Sequence, residues 1–370
     1  MIKLKDKLLL IATITAVSSI FFLSNNKITS HQINILNNQK INFIEGKEFN
    51  SDSLIITDNG RLIFKKIIVP DLKKSSKIII EANLVSDGDP WDKSGSIFLL
   101  KSHPNEEQKN PIELLRFITP FGVGHFSSQE RLDDYKPVYI PKWEEDIAWE
   151  EDISHLASLF DNQQVWIGIW IDSYHKDGFI MNVDLDINES DIRFDFLDKQ
   201  NVNFINNTHK YSAKLNGSHD FSQDLLSNEF VVDKDIKNAK LYFITTGHGA
   251  HSDGDEFNQR NNIVSLNGQE LINFPAWRDD CAAFRRFNPS SGVWYVDTTW
   301  KGEDIKERIA SSDYSRSNWC PGSKVPPVVI DLPDIKRGKN IITIDIPNAQ
   351  PTTKDFWNHW NISTYLVYDN

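Results

Sequence analysis

From residue 77 onward the chain is a series of short runs rich in Ile, Val, Phe and Trp, broken at close intervals by Gly, Pro, Asn and Asp. The runs cover residues 78–85, 96–101, 114–119, 165–172 and 181–187, then 240–246, 263–266, 270–274, 293–298, 328–332, 341–346 and 364–368. Several alternate apolar with polar residues, which gives a strand one face to bury. Many such strands at frequent turns, with few helices between them, predict an all-β chain of packed sandwiches rather than an α/β fold. Asn267-Gly268 between two apolar runs predicts a hairpin, because both turn positions need a positive φ. Helical spacing of Ile153, Leu156, Leu159 and Phe160 predicts a helix over 152–160, and a second short helix is expected over 302–309. Residues 31–76 read as edge strands and loops.

The two halves echo each other. Asp152-Ile153 leads through a polar stretch to Val165-Trp166-Ile167, and Asp331-Leu332 leads through Lys336-Arg337-Gly338-Lys339 to Ile341-Ile342. One turn-then-strand unit at a similar place in each half predicts two related β-sandwich domains, over 31–190 and 191–370, and 370 residues suffice for both. The net charge of −12 argues against nucleic acid as a partner, since phosphate binding needs a basic face. Residues 1–30 run from lysine-rich through uncharged apolar to polar, the order of an export signal. Export to the periplasm or beyond is expected; left uncleaved, the apolar run would be the chain's one membrane anchor. In an oxidising compartment the two cysteines, Cys281 and Cys320, either pair or stay as buried thiols. A monomer is expected.

Titratable residues gather after the run at 240–246, in Gly247-His248-Gly249-Ala250-His251-Ser252-Asp253-Gly254-Asp255-Glu256-Phe257. His248, His251 and the acids are ligand types for zinc, copper or calcium, but their spacing matches no metal motif, and no metal is expected there. No nucleophile elbow, phosphate loop or dinucleotide fingerprint occurs. Acids beside aromatics form a different pattern: Asp87-Gly88-Asp89-Pro90-Trp91-Asp92, then Asp172 near Tyr174, and Glu256 beside Phe257. Rings stack on sugar faces while carboxylates bind hydroxyls and move protons, so this composition points to a carbohydrate site.

Four segments carry a resemblance to a known family. Arg116-Phe117-Ile118-Thr119-Pro120-Phe121-Gly122-Val123-Gly124, Ser315-Arg316-Ser317-Asn318-Trp319-Cys320-Pro321-Gly322, Pro90-Trp91-Asp92 and Val183-Asp184-Leu185-Asp186-Ile187 resemble, in order, segments of bacterial peptide-N-glycosidase F. The resemblance covers about residues 75–370. It implies two adjacent antiparallel jelly-roll β-sandwiches with the site in the cleft between them. It also implies hydrolysis of the β-aspartylglucosaminyl amide bond of N-glycoproteins or glycopeptides, without cofactor or metal, converting asparagine to aspartate. By that match the catalytic acids are Asp92, Glu256 and Asp172, the last replacing a glutamate and so shortening the reach by one methylene. Arg316 matches a site arginine, and Trp91, Trp319, Tyr174, His248 and Lys93 are the expected substrate contacts, with Lys93 standing for an arginine and Tyr174 for a tryptophan. Two of the family's cysteine pairs are missing, at Asn83 with Gly88 and at Gly254 with Asn258; the retained pair matches Cys281 and Cys320. Asp87 and Asp89 read as solvated neighbours of Asp92. Two other readings remain: a secreted glycan-binding protein without catalysis, and a copper enzyme, for which the first half offers only scattered His103, His125, His155 and His175.

Overall fold

The computed structural model describes residues 28–369 apart from 73–74, 107–109, 122–146, 162, 191–198, 210, 212–218, 250–252, 289–290 and 292. The export-type segment, the expected boundary at 190/191, His125, His251 and the end of the Arg116 segment fall wholly or largely outside those residues. Among the described residues no helix is long and apolar enough to cross a membrane.

The first half contributes β1 (Thr29–Ile41), β2 (Phe49–Asn50), β3 (Leu54–Thr57), β4 (Leu62–Ile68), β5 (Ser75–Ser86), β6 (Ser94–Leu100), β7 (Ile112–Ile118), β8 (Ile147–Asp152), β9 (Gln164–Ile171) and β10 (Phe179–Ser190). The second contributes β11 (Asn201–Asn207), β12 (Leu226–Val232), β13 (Lys240–His248), β14 (Asn261–Leu266), β15 (Gln269–Pro275), β16 (Val293–Trp300), β17 (Glu303–Ala310), β18 (Lys324–Val325), β19 (Val328–Asp331), β20 (Gly338–Asp345) and β21 (His359–Tyr368). In the first half the sheet β1-β10-β5-β8 faces one of order β7-β6-β9-β4, which β3 and β2 extend. In the second, β11-β21-β13-β19 faces β12-β20-β14-β15. Every ladder is antiparallel. With β2, β3, β16, β17 and β18 set aside, the two halves interleave their eight remaining strands identically: one sheet takes the first, last, third and sixth, the other the second, seventh, fourth and fifth. The echo seen in the sequence is the step from sixth to seventh strand, β8 to β9 and β19 to β20.

Burial follows the sequence pattern. β5 and β10 alternate buried with half-exposed positions, as a sheet with one wet face requires. β6 and β9 are buried almost throughout, because Tyr211 and the rings of Phe64, Phe98, Trp166 and Trp170 form a second cluster on the outer face; β7 is buried throughout because its outer face meets the second half. Asn267 and Gly268 take φ of 51° and 83° and close the β14–β15 hairpin as expected. The helix expected over 302–309 is instead strand β17, because Lys301 and Gly302 (φ 52° and 83°) make a tight turn back onto β16. The helix expected over 152–160 is reduced to a 3-10 turn, Ser154–Leu156, and one α-turn, Ala157–Phe160. Within residues 31–76, read as edge strands and loops, β1 is an edge strand of its sheet, long and paired along β10.

The halves are joined through β18, which pairs with β7 across the boundary. Beneath it, Arg116 and Glu113 form a fully buried ion pair at 2.6 Å. The Arg116 guanidinium also donates to Asn361 O at 2.6 Å and Thr246 Oγ1 at 3.3 Å, so its charge is satisfied from both halves. Breaking such a pair costs about 3–5 kcal/mol, which makes it a stiff joint. His155 stacks on Tyr242 at 4.1 Å and bonds the Tyr365 hydroxyl, and burial pushes its pKa down to about 4. It is a neutral interface residue, and His103, edge-on to Trp166, packs elsewhere, so these two histidines do not converge.

Candidate active site

The loop before β6 carries Asp92, and two side chains brace it, Thr119 and Asp89. The Thr119 hydroxyl donates to Trp91 O at 3.1 Å and accepts from Lys93 N at 2.8 Å, bracing both neighbours of Asp92. Asp89 is fully buried, not solvated; its carboxylate accepts from Trp91 N at 3.1 Å and from the Ser173 hydroxyl at 2.6 Å. Asp87 is the exposed neighbour, paired with Lys40.

Glu256 follows β13 across the Gly-His loop. Gly249 has φ 152°, and a Cβ there would meet Asn358 Oδ1 at 2.1 Å, so only glycine fits. Its N–H donates to the Glu256 carboxylate. Asp255 is fully buried and accepts from Arg260 Nε, Trp360 Nε1 and Gln350 N, each at 3.0 Å. That carboxylate anchors the loop rather than facing a ligand. Asn258 Nδ2 donates to Gly254 O at 2.8 Å, closing by a hydrogen bond the turn that the resemblance associates with a lost disulfide.

Arg316 joins the two acids. Its Nε lies 3.2 Å from Glu256 Oε1 and its Nη2 3.6 Å from Asp92 Oδ2. Nη1 donates to Tyr314 O at 2.8 Å, and the guanidinium lies 4.9 Å from the Trp319 ring and 5.2 Å from Phe257. Reciprocal backbone bonds to Arg278 and the bond from Ser317 N to Glu256 O at 2.9 Å hold the segment. The Cys281–Cys320 disulfide, with Cα atoms 5.1 Å apart, ties it to the turn that begins at Cys281. Replacing both cysteines with serine is expected to lower stability by about 2–4 kcal/mol, read by denaturant unfolding.

Burial pushes both acids up against the pull of Arg316: Asp92 to about 6, where Lys93 also opposes the rise, and Glu256 to about 7, where the charge of Asp92 adds to it. The pair therefore titrates together around neutrality, so that one proton is available near pH 6–7. An acid that can hold or release a proton, an ionised acid and a fixed guanidinium within one cluster can move a proton at a polar bond.

These groups open onto a cavity of about 550 Å³ between the halves. Trp91, Asp92, Lys93 and Asp172 line one side; His248, Glu256 and Trp319 line the other. Asp172, directly after β9, pairs with Arg61 Nη1 at 3.0 Å rather than with Arg316. Tyr174 stands outside the lining, half-exposed, with Arg61 4.5 Å and Lys93 6.0 Å from its ring. Nothing in the residue pattern marks Arg61, which lies in the segment read as edge strands and loops. His359, stacked on His248 at 5.0 Å, and the lining residues Asp355, Phe356 and Trp357 were likewise unmarked.

Models of the peptide-N-glycosidase F family match both halves: the C-terminal model over residues 216–367, the N-terminal one over 32–106 and 102–187. No curated protein gives a significant match. Among solved structures, PNGF-II is similar with a TM-score of 0.75 and 28% identity, over 92% of this chain and 65% of that one. This chain thus spans just under two thirds of PNGF-II. A structure described as PNGase F, a glycosylasparaginase from Flavobacterium meningosepticum, shares the fold at a TM-score of 0.63 and 16% identity, over 92% of this chain and 96% of that one. With its first and second halves each matched in turn, and the fold shared throughout, this chain belongs to the peptide-N-glycosidase F family.

Proposed function

We propose that this chain is an amidohydrolase that releases N-linked glycans by cleaving the bond between the first sugar and asparagine. The observation that carries the reading is the Asp92–Arg316–Glu256 cluster on the floor of the cleft, in a chain of this family. In the reaction, water adds to the asparagine side-chain carbonyl, the C–N bond breaks and the nitrogen leaves protonated. The products are aspartate and a glycosylamine. Asp92 acts at the scissile linkage. Glu256, whose pKa of about 7 lets it hold or accept a proton at neutrality, orients the amide or the attacking water. Asp172, held by Arg61, binds sugar hydroxyls directly or through water. Arg316 offsets the paired negative charge and stabilises by its own charge an oxygen that gains charge nearby. The substrate is a glycoprotein or glycopeptide, met outside the cytoplasm, and the Cys281–Cys320 bridge suits that compartment.

The test is incubation with a denatured N-glycoprotein and mass spectrometry of its peptides. A former glycosylation site gains aspartate if the reading holds. Glycan binding without release would make the protein a lectin-like member of the family. The Arg316 guanidinium already occupies the space between the two acids, where a bound cation would have to sit. Chelator treatment is therefore expected to leave glycan release unchanged; loss of activity restored by one metal ion would overturn that assignment.

A further inference from the structure

The acids and Arg316 account for the floor of the cleft, but its rim carries three large aromatic rings, of which Phe356 and Trp357 have no role assigned so far. Trp91 on one side is 48% exposed; Phe356 and Trp357 on the other are 50% and 60% exposed. All three line the same cavity. The second pair sits on residues 351–358, between β20 and β21, in a loop that its own hydrogen bonds close. Thr353 N donates to Phe356 O at 2.7 Å, Phe356 N to Thr353 Oγ1 at 3.0 Å, and Asn358 Nδ2 to Pro351 O at 3.0 Å. Its base is fastened to the catalytic segment, because Asn358 Oδ1 accepts from Asp255 N at 3.2 Å, one residue before Glu256.

Trp357 also ends a ladder of rings. Its ring centroid is 6.3 Å from His359, which stacks on His248 at 5.0 Å; His248 stacks on Trp319 at 5.4 Å, and Trp319 lies against Arg316. The exposed ring is thus held in register with the guanidinium. Polar side chains stand among the rings: Asp355 beside Phe356, and Lys93 and Asp172 near Trp91. A pyranose has an apolar C–H face edged by hydroxyls, and it fits ring faces flanked by carboxylates and an ammonium. A peptide added as a strand to a sheet edge would instead be met by a row of backbone donors and acceptors, whereas side chains make up this rim.

We propose that Phe356 and Trp357 are a sugar-stacking platform that faces Trp91 across the cleft and sets which glycans are accepted. The proposal rests on the glycan-releasing reading for its biological meaning, but its test separates the two. Trp357→Ala is expected to raise KM for a glycopeptide about tenfold while kcat stays within about threefold, the signature of lost binding rather than lost chemistry. Trp357→Phe should recover most of the affinity, and Phe49→Ala, an equally exposed ring lining a different groove, should change nothing. An unchanged KM for Trp357→Ala, or a KM effect that follows peptide length and not glycan length, overturns the proposal. Direct titration of the wild type and Trp357→Ala with an N-acetylglucosamine disaccharide reads the platform without turnover. Binding that depends on Trp357 in a protein that releases no glycan would sink the functional reading and keep the platform. Release of glycan with no such dependence would do the reverse.

Discussion

Asp92→Asn is expected to lower glycan release by about 10²–10⁴-fold, the usual cost of losing a positioned acid or base. The substitution keeps the shape of a side chain whose loop is braced by Thr119 and Asp89, so the backbone around it should not move. It also makes the protein more stable at neutral pH. A carboxyl whose pKa is raised by folding adds stability that is fully present below its unfolded value and is lost as pH rises through its folded value. For Asp92 that window runs from about 4 to about 6. Two units correspond to roughly 3 kcal/mol of strain at pH 8, since each unit is about 1.4 kcal/mol. The asparagine variant should therefore melt higher than wild type at pH 8 and alike at pH 4. Asp87→Asn is the matched control in the same loop and should leave turnover near that of the wild type. Asp89 cannot serve as that control, because its buried carboxylate holds Trp91 and Ser173. If Asp92→Asn turns over normally, Asp92 is not the acid at the scissile bond.

Alternation and turn chemistry made the sheets readable: nearly every run read as a strand is one, because one-face burial writes itself into a period of two. Where that signal weakened, tertiary contacts decided. β1 carries Asn34, Asn37, Asn38 and Gln39, so the sequence shows neither its length nor its partner; it lies at a sheet edge along β10, with two register shifts that absorb its irregularity. Residues 303–310 have apolar positions compatible with a helix, but the Lys301-Gly302 turn commits them to a hairpin. For the site, the chain reveals residue types in order but not convergence. Asp92, Glu256 and Arg316 were found by resemblance; that one guanidinium serves both acids is a fact of packing. The same ambiguity hid Asp89 and Asp255. Each looks like a surface acid in a Gly-rich loop, and each is buried because side-chain and backbone donors from elsewhere in the chain satisfy it. Thr119, quoted only as part of a recognisable segment, is the residue that aims Asp92.

Arg316→Met should have the second large effect, and its dependence on pH identifies the cause. Methionine fills much of the space between Phe257 and Trp319 but leaves Asp92 and Glu256 without the guanidinium they share. Removing one partner of a buried charge cluster costs about 3–5 kcal/mol when the other charges stay ionised. Without Arg316 the folded pKa values of both acids rise beyond about 6 and about 7, because the attraction that opposes burial is gone. The further rise weakens the variant relative to wild type only as pH climbs past the wild-type folded values, so the deficit should be large at pH 8 and small at pH 5. Glycan release near neutrality should fall by at least about 10²-fold, as for loss of a donor aimed at developing charge. Arg316→Lys separates charge from shape. A lysine restores a positive charge, and with it much of the stability at pH 8, but a single ammonium cannot fork between two acids, so activity should stay low. The measurements are denaturant unfolding at the two pH values and glycan release from a denatured glycoprotein. An Arg316→Met deficit of equal size at pH 5 and pH 8 would mean that Arg316 contributes by packing alone, and the shared-guanidinium account of the cleft would fall.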